Sequence, residues 1–150
     1  MFDTQDFVDG QILHHLPEPY TFGLVIKVRD YETDSQGIVN NANYLHYMEM
    51  TRHAFCEREG FSFKDMSEAG ILAVLRIAEI DYLSSLHGAE LFASLLWLER
   101  NGPKFLFHQD FYHIPSGEPV IKAVATVVAS INGHLSRGDE LAKSLHVSNP

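Results

Sequence analysis

The hydrophobic and polar positions of the chain fall into one strand-like run, one long helical run, and then four more strand-like runs. Phe22 to Val28 is rich in β-forming residues and reads as the first strand. From about Asn41 to Glu59 the spacing becomes helical, with Gly60 as the stop. At 1.5 Å per residue this predicts a helix of roughly 28 Å. Leu45, Met48, Arg52 and Phe55, with Tyr44, Tyr47, Thr51 and Ala54 alongside, form one broad and mostly apolar side. His46, Met50, His53 and Glu57 form a more polar stripe. A short helical piece from Phe63 to Glu68 precedes Gly70. Strands are then expected over Ile71 to Leu83, Leu91 to Arg100, Lys104 to His113 and Val120 to Ile131, with turns at Asn101-Gly102-Pro103 and Pro115-Ser116-Gly117. In Lys104 to His113 the residues Phe105, Phe107, Gln109 and Phe111 share one face. The short connections favour antiparallel pairing. Ser136 to Leu145 reads as a terminal helix, and residues 1 to about 19 as a polar or partly ordered lead-in. This order of elements is an α+β layer, a sheet curled about one long helix.

Between the first strand and the helix lies a polar turn with chemical meaning. Asp34 sits in it, and Gly37 supplies a residue free to take positive φ. The helix that follows offers unpaired N–H groups and a positive dipole end. A carbonyl held there would be polarised with a carboxylate close by. Asn40, Asn41 and Asn43 are all candidate caps.

Asp34, Gly37, Ile38-Val39, Asn43-Tyr44-Leu45, Tyr47-Met48-Glu49 and Arg52 together resemble the signature of hotdog-fold acyl-CoA thioesterases, in the 4-hydroxybenzoyl-CoA thioesterase-like branch. The likeness continues more weakly through Asp81-Tyr82-Leu83 and Gly88 to Leu91, covering about residues 22 to 131. The resemblance implies a five-stranded antiparallel sheet in the order 1-3-4-5-2 wrapped around a long central helix. It also implies a homodimer or homotetramer with sites at the subunit interface. It places the catalytic carboxylate on Asp34, acting as nucleophile or through an activated water. It places a carbonyl-binding backbone N–H at Asn41, with Gly37 and Tyr44 as further substrate contacts. Related enzymes often carry His or Tyr where this chain has Asn41, but a backbone donor survives any substitution except proline. The implied substrate is an acyl-CoA, with no cofactor beyond the CoA it carries. Tyr44, Tyr47, Phe55, Phe105 and Phe107 are expected to supply an apolar wall suited to medium aliphatic or aromatic acyl groups. Rival readings are an acyl carrier protein thioesterase, a non-catalytic acyl-CoA sensor and a hotdog dehydratase. The last would call for a His-containing helix motif that the matching stretch lacks.

Composition narrows the field further. One hundred and fifty residues with 45% apolar content suit one globular domain. A formal charge of −9 opposes nucleic acid binding and an acidic carrier protein alike. The single cysteine, Cys56, has no intrachain partner, which fits a cytoplasmic protein, and it reads as a buried small hydrophobe. No apolar run is long enough to span a membrane, and Met1 to Gly10 lacks the pattern of a signal peptide. His14-His15 and the set His46, Glu49 and His53 are weak metal candidates, and no metal is expected. Arg52 is expected to pair with a carboxylate. Arg76, Arg100, Lys104 and Lys122 are candidates for the phosphates of CoA. No nucleophile elbow, Walker loop or dinucleotide fingerprint is present.

Overall fold

The side chains that alternate along the strands are matched to a single helix, and the sheet curls to put them against it. In the computed structural model, which describes Phe2 and residues 6–150, the helix is α1, Asn41–Arg58. The strands are β1 (Phe22–Lys27), β2 (Ile71–Tyr82), β3 (Leu91–Asn101), β4 (Lys104–His113) and β5 (Pro119–Ile131). They lie in the order β1-β3-β4-β5-β2, all antiparallel, as the resemblance implied. A 3-10 turn at Asp30–Glu32 leads from β1 toward the helix, and α2 (Phe63–Glu68) leads from the helix to β2. The architecture is the expected α+β hotdog fold.

Phe22, Leu24 and Ile26 of β1, Phe92 and Leu96 of β3, Phe105, Phe107 and Phe111 of β4, and Ala123, Ala125 and Val127 of β5 all enter one core with α1. From the helix come Tyr44, Tyr47, Met48, Phe55 and Cys56. Leu45, expected on this stripe, is 41% exposed on the flank of α1. Gln109 breaks the apolar run of β4 at full burial. Its Nε2 donates to Met48 O at 2.8 Å and its Oε1 accepts from Arg52 Nη1 at 2.9 Å. Thr51 and Ser94 meet through their hydroxyls at 2.7 Å, a second polar fastener between α1 and β3. These three bonds fix where the helix lies on the sheet, because buried polar groups are costly unless paired.

The two sheet edges differ. Along β1, Gly10 N–H donates to Val25 O, Leu13 N–H to Gly23 O, and Val25 N–H to Gln11 O. The segment read as a lead-in therefore covers that edge. Leu13, Leu16, Phe7 and Tyr20 pack on the outer face of the sheet against Val25, Ala93, Leu95 and Tyr112. The part of the lead-in reading that falls on residues 1 and 3–5 lies outside the described residues. The β2 edge has no such cover: among the described residues β2 pairs only with β5. Leu72, Val74, Leu75 and Ile77 on it are exposed. At the far end, Asn132 and Gly133 take positive φ and turn β5 into a two-residue strand, β6 (His134–Leu135). The terminal helix α3 accordingly spans only Asp139–Ser144. Among the described residues no helix is long and apolar enough to cross a membrane.

Candidate active site

The polar stretch after β1 folds into a tight turn held from both sides. Thr33 pairs with Val39, Asp34 N–H donates to Ile38 O at 2.8 Å, and Gly37 N–H donates to Asp34 O at 3.0 Å. Gly37 has φ +78°, which explains a residue without Cβ at this point. Its part in the structure is to close the turn. The Asp34 side chain closes an inner ring: Oδ1 accepts from Gln36 N–H at 2.8 Å and from Ile38 N–H at 3.4 Å. Asp34 is exposed, and among the described residues no donor is placed on its Oδ2. The carboxylate is thus oriented through one oxygen and free at the other.

The helix start is built from the neighbouring asparagines. Asn40 is the cap, its Oδ1 accepting from Ala42 N–H at 3.0 Å, and its O accepts from Asn43 N–H at 2.9 Å. Asn43 Nδ2 donates to Glu32 O at 2.8 Å, and Asn40 N–H donates to the same carbonyl at 3.1 Å. Glu32 therefore ties the end of the 3-10 turn to the beginning of α1. Asn41 is exposed as the first residue of the helix, and no acceptor among the described residues is assigned to its N–H. An unpaired N–H at a helix N-terminus can polarise a carbonyl, and a carboxylate with a free oxygen on the same loop can act as nucleophile or base.

Behind this loop runs the irregular segment between β2 and β3. Val39 N–H donates to Leu86 O at 2.9 Å, Gly88 N–H to Gly37 O at 3.3 Å, and Ile38 pairs with His87. Leu86 is fully buried. The chain likeness at Gly88 to Leu91 pointed to this region, but not to its role as backing for the Asp34 turn.

Tyr44, expected to touch substrate, is a core side chain with 3% exposure. It packs near-parallel to Phe111 and edge-on to Tyr82, and its Oη accepts from Leu86 N–H at 3.3 Å. Burial pushes its hydroxyl pKa up, so it stays a neutral fastener of the backing segment. Tyr47, Phe55, Phe105 and Phe107, expected with Tyr44 to wall an acyl site, are core as well. Arg52 departs from expectation too. Its partner is the amide of Gln109, and among the described residues no carboxylate lies within ion-pair distance of it. Burial lowers its pKa, with Glu49 opposing. Beside it a cleft of about 230 Å³ opens, lined by Glu49, Arg52, His53 and Cys56 of α1, Phe63 of α2, Ala73 and Leu75 of β2, Phe107 and Val127. Burial, against the nearby Arg52, pushes the Cys56 thiol up to about 11, so it is inert at neutral pH.

Of the basic residues, Arg100 is engaged with Asp139 at 2.7 Å and Lys122 with Asp110 and Tyr112 on the outer face. Arg76 is exposed at a register shift in β2, and Lys104 is exposed at the start of β4. Among the described residues no group of three His, Cys, Asp or Glu side chains is placed to hold a metal. Glu49 and His53 approach to 3.7 Å without a third ligand.

Comparison with known proteins adds to this geometry. A sequence model described as the thioesterase-like superfamily matches residues 28–141. A candidate acyl-CoA thioesterase of Bacillus subtilis, YneP, is 39% identical over 102 residues, spanning 67% of this chain and 73% of the relative. The Arabidopsis chloroplast acyl-acyl carrier protein thioesterase ATL2 is 31% identical over 104 residues. The match spans 69% of this chain but only 55% of that protein. Among solved structures, the Aquifex aeolicus protein AQ1494 superposes with a TM-score of 0.76 at 28% identity, covering 83% of this chain and 98% of that one.

Proposed function

The chain belongs to the thioesterase-like superfamily, and from that premise we propose that its hotdog domain hydrolyses acyl-CoA thioesters at the Asp34–Asn41 junction. Thioester hydrolysis is the activity its relatives are named for. The observation that carries the assignment of the site is the pairing, on one loop-to-helix junction, of a carboxylate with a free oxygen and a helix N–H with no acceptor. In this reading the Asn41 N–H, aided by the helix dipole, draws charge onto the thioester oxygen. Asp34 then attacks the carbonyl carbon, or takes a proton from a water that does. In the first route the CoA thiolate leaves an acyl–Asp34 anhydride that water then hydrolyses to the free acid; in the second, the water adduct expels the thiolate to give the acid directly, and the proton held by Asp34 returns to the thiolate. Neither route calls for a metal or a bound cofactor.

The working unit in this proposal is a symmetric dimer, or a dimer of dimers, joined across β2. The support is the asymmetry of the edges: residues 10–13 cover β1, whereas β2 presents unpaired backbone and exposed Leu72, Val74, Leu75 and Ile77. The same proposal prefers medium aliphatic or aromatic acyl groups over acetyl, with the cleft of about 230 Å³ beside β2 as the candidate acyl pocket. A net charge of −9 supports CoA over an acidic carrier protein as the acyl donor.

The test is free-thiol release from a panel of acetyl-, medium-chain, long-chain and aromatic acyl-CoAs, with acyl carrier protein thioesters alongside. The expected result is turnover of the medium and aromatic CoA esters well above acetyl-CoA. Equal turnover of acetyl-CoA would overturn the preference, and no thiol release from any acyl-CoA would overturn the function.

A further inference from the structure

The segment that backs the Asp34 turn is itself irregular, running from Leu83 to Glu90 between two strands. Something has to hold it, and one side chain distant in sequence, His113, bonds to residues at both of its ends. Ser84 Oγ donates to Pro119 O at 2.7 Å and lies 2.9 Å from His113 Nε2. On the other side of the ring, His113 Nδ1 bonds the Glu90 carboxylate through Oε2. Glu90 Oε1 accepts from His87 N–H at 3.1 Å, and the His87 ring nitrogen Nδ1 lies 3.6 Å from the same oxygen. His113 and Glu90 are both largely shielded from solvent.

A Ser–His–Glu series in this order has the outline of a nucleophilic triad, but the serine hydrogen is directed elsewhere. Ser84 has one hydroxyl hydrogen, and it is spent on Pro119 O. That hydrogen is therefore not directed at His113 Nε2, as a nucleophilic triad would require. A carboxylate only accepts, so Nδ1–H serves Glu90.

We propose that the Ser84–His113–Glu90 network positions the catalytic turn, with His113 as the positioning residue. It clamps both ends of segment 84–90 to the ends of β4 and β5. The same segment supplies Leu86 O to Val39 N–H and Gly88 N–H to Gly37 O. Through these bonds the network sets where the Asp34 turn and the Asn41 N–H stand relative to each other. This inference rests on the reading of Asp34 and Asn41 as the active site, and it adds His113, Glu90 and Ser84 as residues that act through them.

The experiment combines steady-state kinetics with amide hydrogen exchange on the full chain for His113→Ala, Ser84→Ala, Glu90→Ala and Glu90→Gln. In His113→Ala, exchange at Val39 and Gly88 should quicken by about tenfold or more while the middle of β3 stays protected. The value of kcat should fall by about tenfold to a hundredfold, with KM changed far less. Ser84→Ala should move both readouts in the same direction by less. Glu90→Gln, which keeps an acceptor oxygen, should lie nearer the wild type than Glu90→Ala. Unchanged exchange at Val39 and Gly88 in a folded His113→Ala or Ser84→Ala protein would overturn the proposal. Labelling of Ser84 by a fluorophosphonate would overturn it too, by making Ser84 a nucleophile. Normal turnover by Asp34→Asn, with quickened exchange in His113→Ala, would refute the active-site reading and leave the clamp standing.

Discussion

Replacing Asn41 by proline should remove one hydrogen-bond donor and almost nothing else. Asn41 is the first residue of α1, a position where proline's fixed φ suits the helix and its missing N–H leaves no intrahelical bond broken. Asn40 before it has φ −64° and ψ 140°, an extended conformation that a following proline tolerates. The cap survives, because Asn40 Oδ1 still accepts from Ala42 N–H and Asn40 O from Asn43 N–H. The loss of fold stability should therefore stay within about 1 kcal/mol, or about 2–4 °C in Tm for a chain of this size. In the transition state, the lost donor should cost about 2.7–4 kcal/mol, a fall of about 10²–10³ in kcat. The assay is thiol release from a medium-chain acyl-CoA, with thermal unfolding run in parallel. Asn41→Ala is the control, since it discards the side chain and keeps the N–H, and it should remain close to the wild type. A folded Asn41→Pro protein with kcat within about threefold of Asn41→Ala would refute the carbonyl-polarising role of this N–H.

Three other outcomes follow from the same structure. Gln109→Leu should cost about 1.5–3 kcal/mol by stripping Arg52 of its partner, and adding Arg52→Met should restore part of it; strictly additive Tm losses would contradict the pairing. Ile77→Lys, on the open edge, should shift the protein toward monomer in sedimentation with its circular dichroism unchanged, whereas a wild type already monomeric at micromolar concentration would remove the dimer from the account. Burial raises the Cys56 thiol to about 11, disfavouring the thiolate, so the folded protein at pH 8 should react with an aromatic disulfide reagent far more slowly than the denatured chain; equal rates would place Cys56 at the surface.

The fold was legible because its signals are local. Phe105, Phe107, Gln109 and Phe111 alternate on one face of β4, and Asn101-Gly102-Pro103 marks the hairpin before it. The Asp34 turn and the cap region were legible for the same reason, since Asp, Gly and Asn report on backbone within a few residues. Asn132-Gly133 is an equally local hairpin signal, and the strand it opens shortens the terminal helix. What did not show was long-range. The Leu13 and Leu16 of the lead-in are spaced among His and Pro with no strand period, and their burial depends on an outer sheet face that exists only in the folded protein. Arg52 meets Gln109 across 57 residues, and His113 meets Ser84 and Glu90 across 29 and 23. Tyr44 shows the converse limit: helical spacing located its face, but only the packed sheet decided that this face is core.

Catalysis in the proposed reaction depends on the Asp34 carboxylate. Asp34→Asn keeps an oxygen to accept from Gln36 N–H, so the turn that Gly37 closes should persist. It removes the negative charge from the oxygen that faces outward. The decisive measurement is kcat for acyl-CoA hydrolysis in wild type and Asp34→Asn, with acyl-CoA affinity and Tm measured on the same samples. The value of kcat should fall by at least about 10²–10⁴-fold, with affinity and Tm nearly unchanged. A folded Asp34→Asn protein that binds acyl-CoA and turns it over at a near-normal rate would contradict the catalytic role of Asp34.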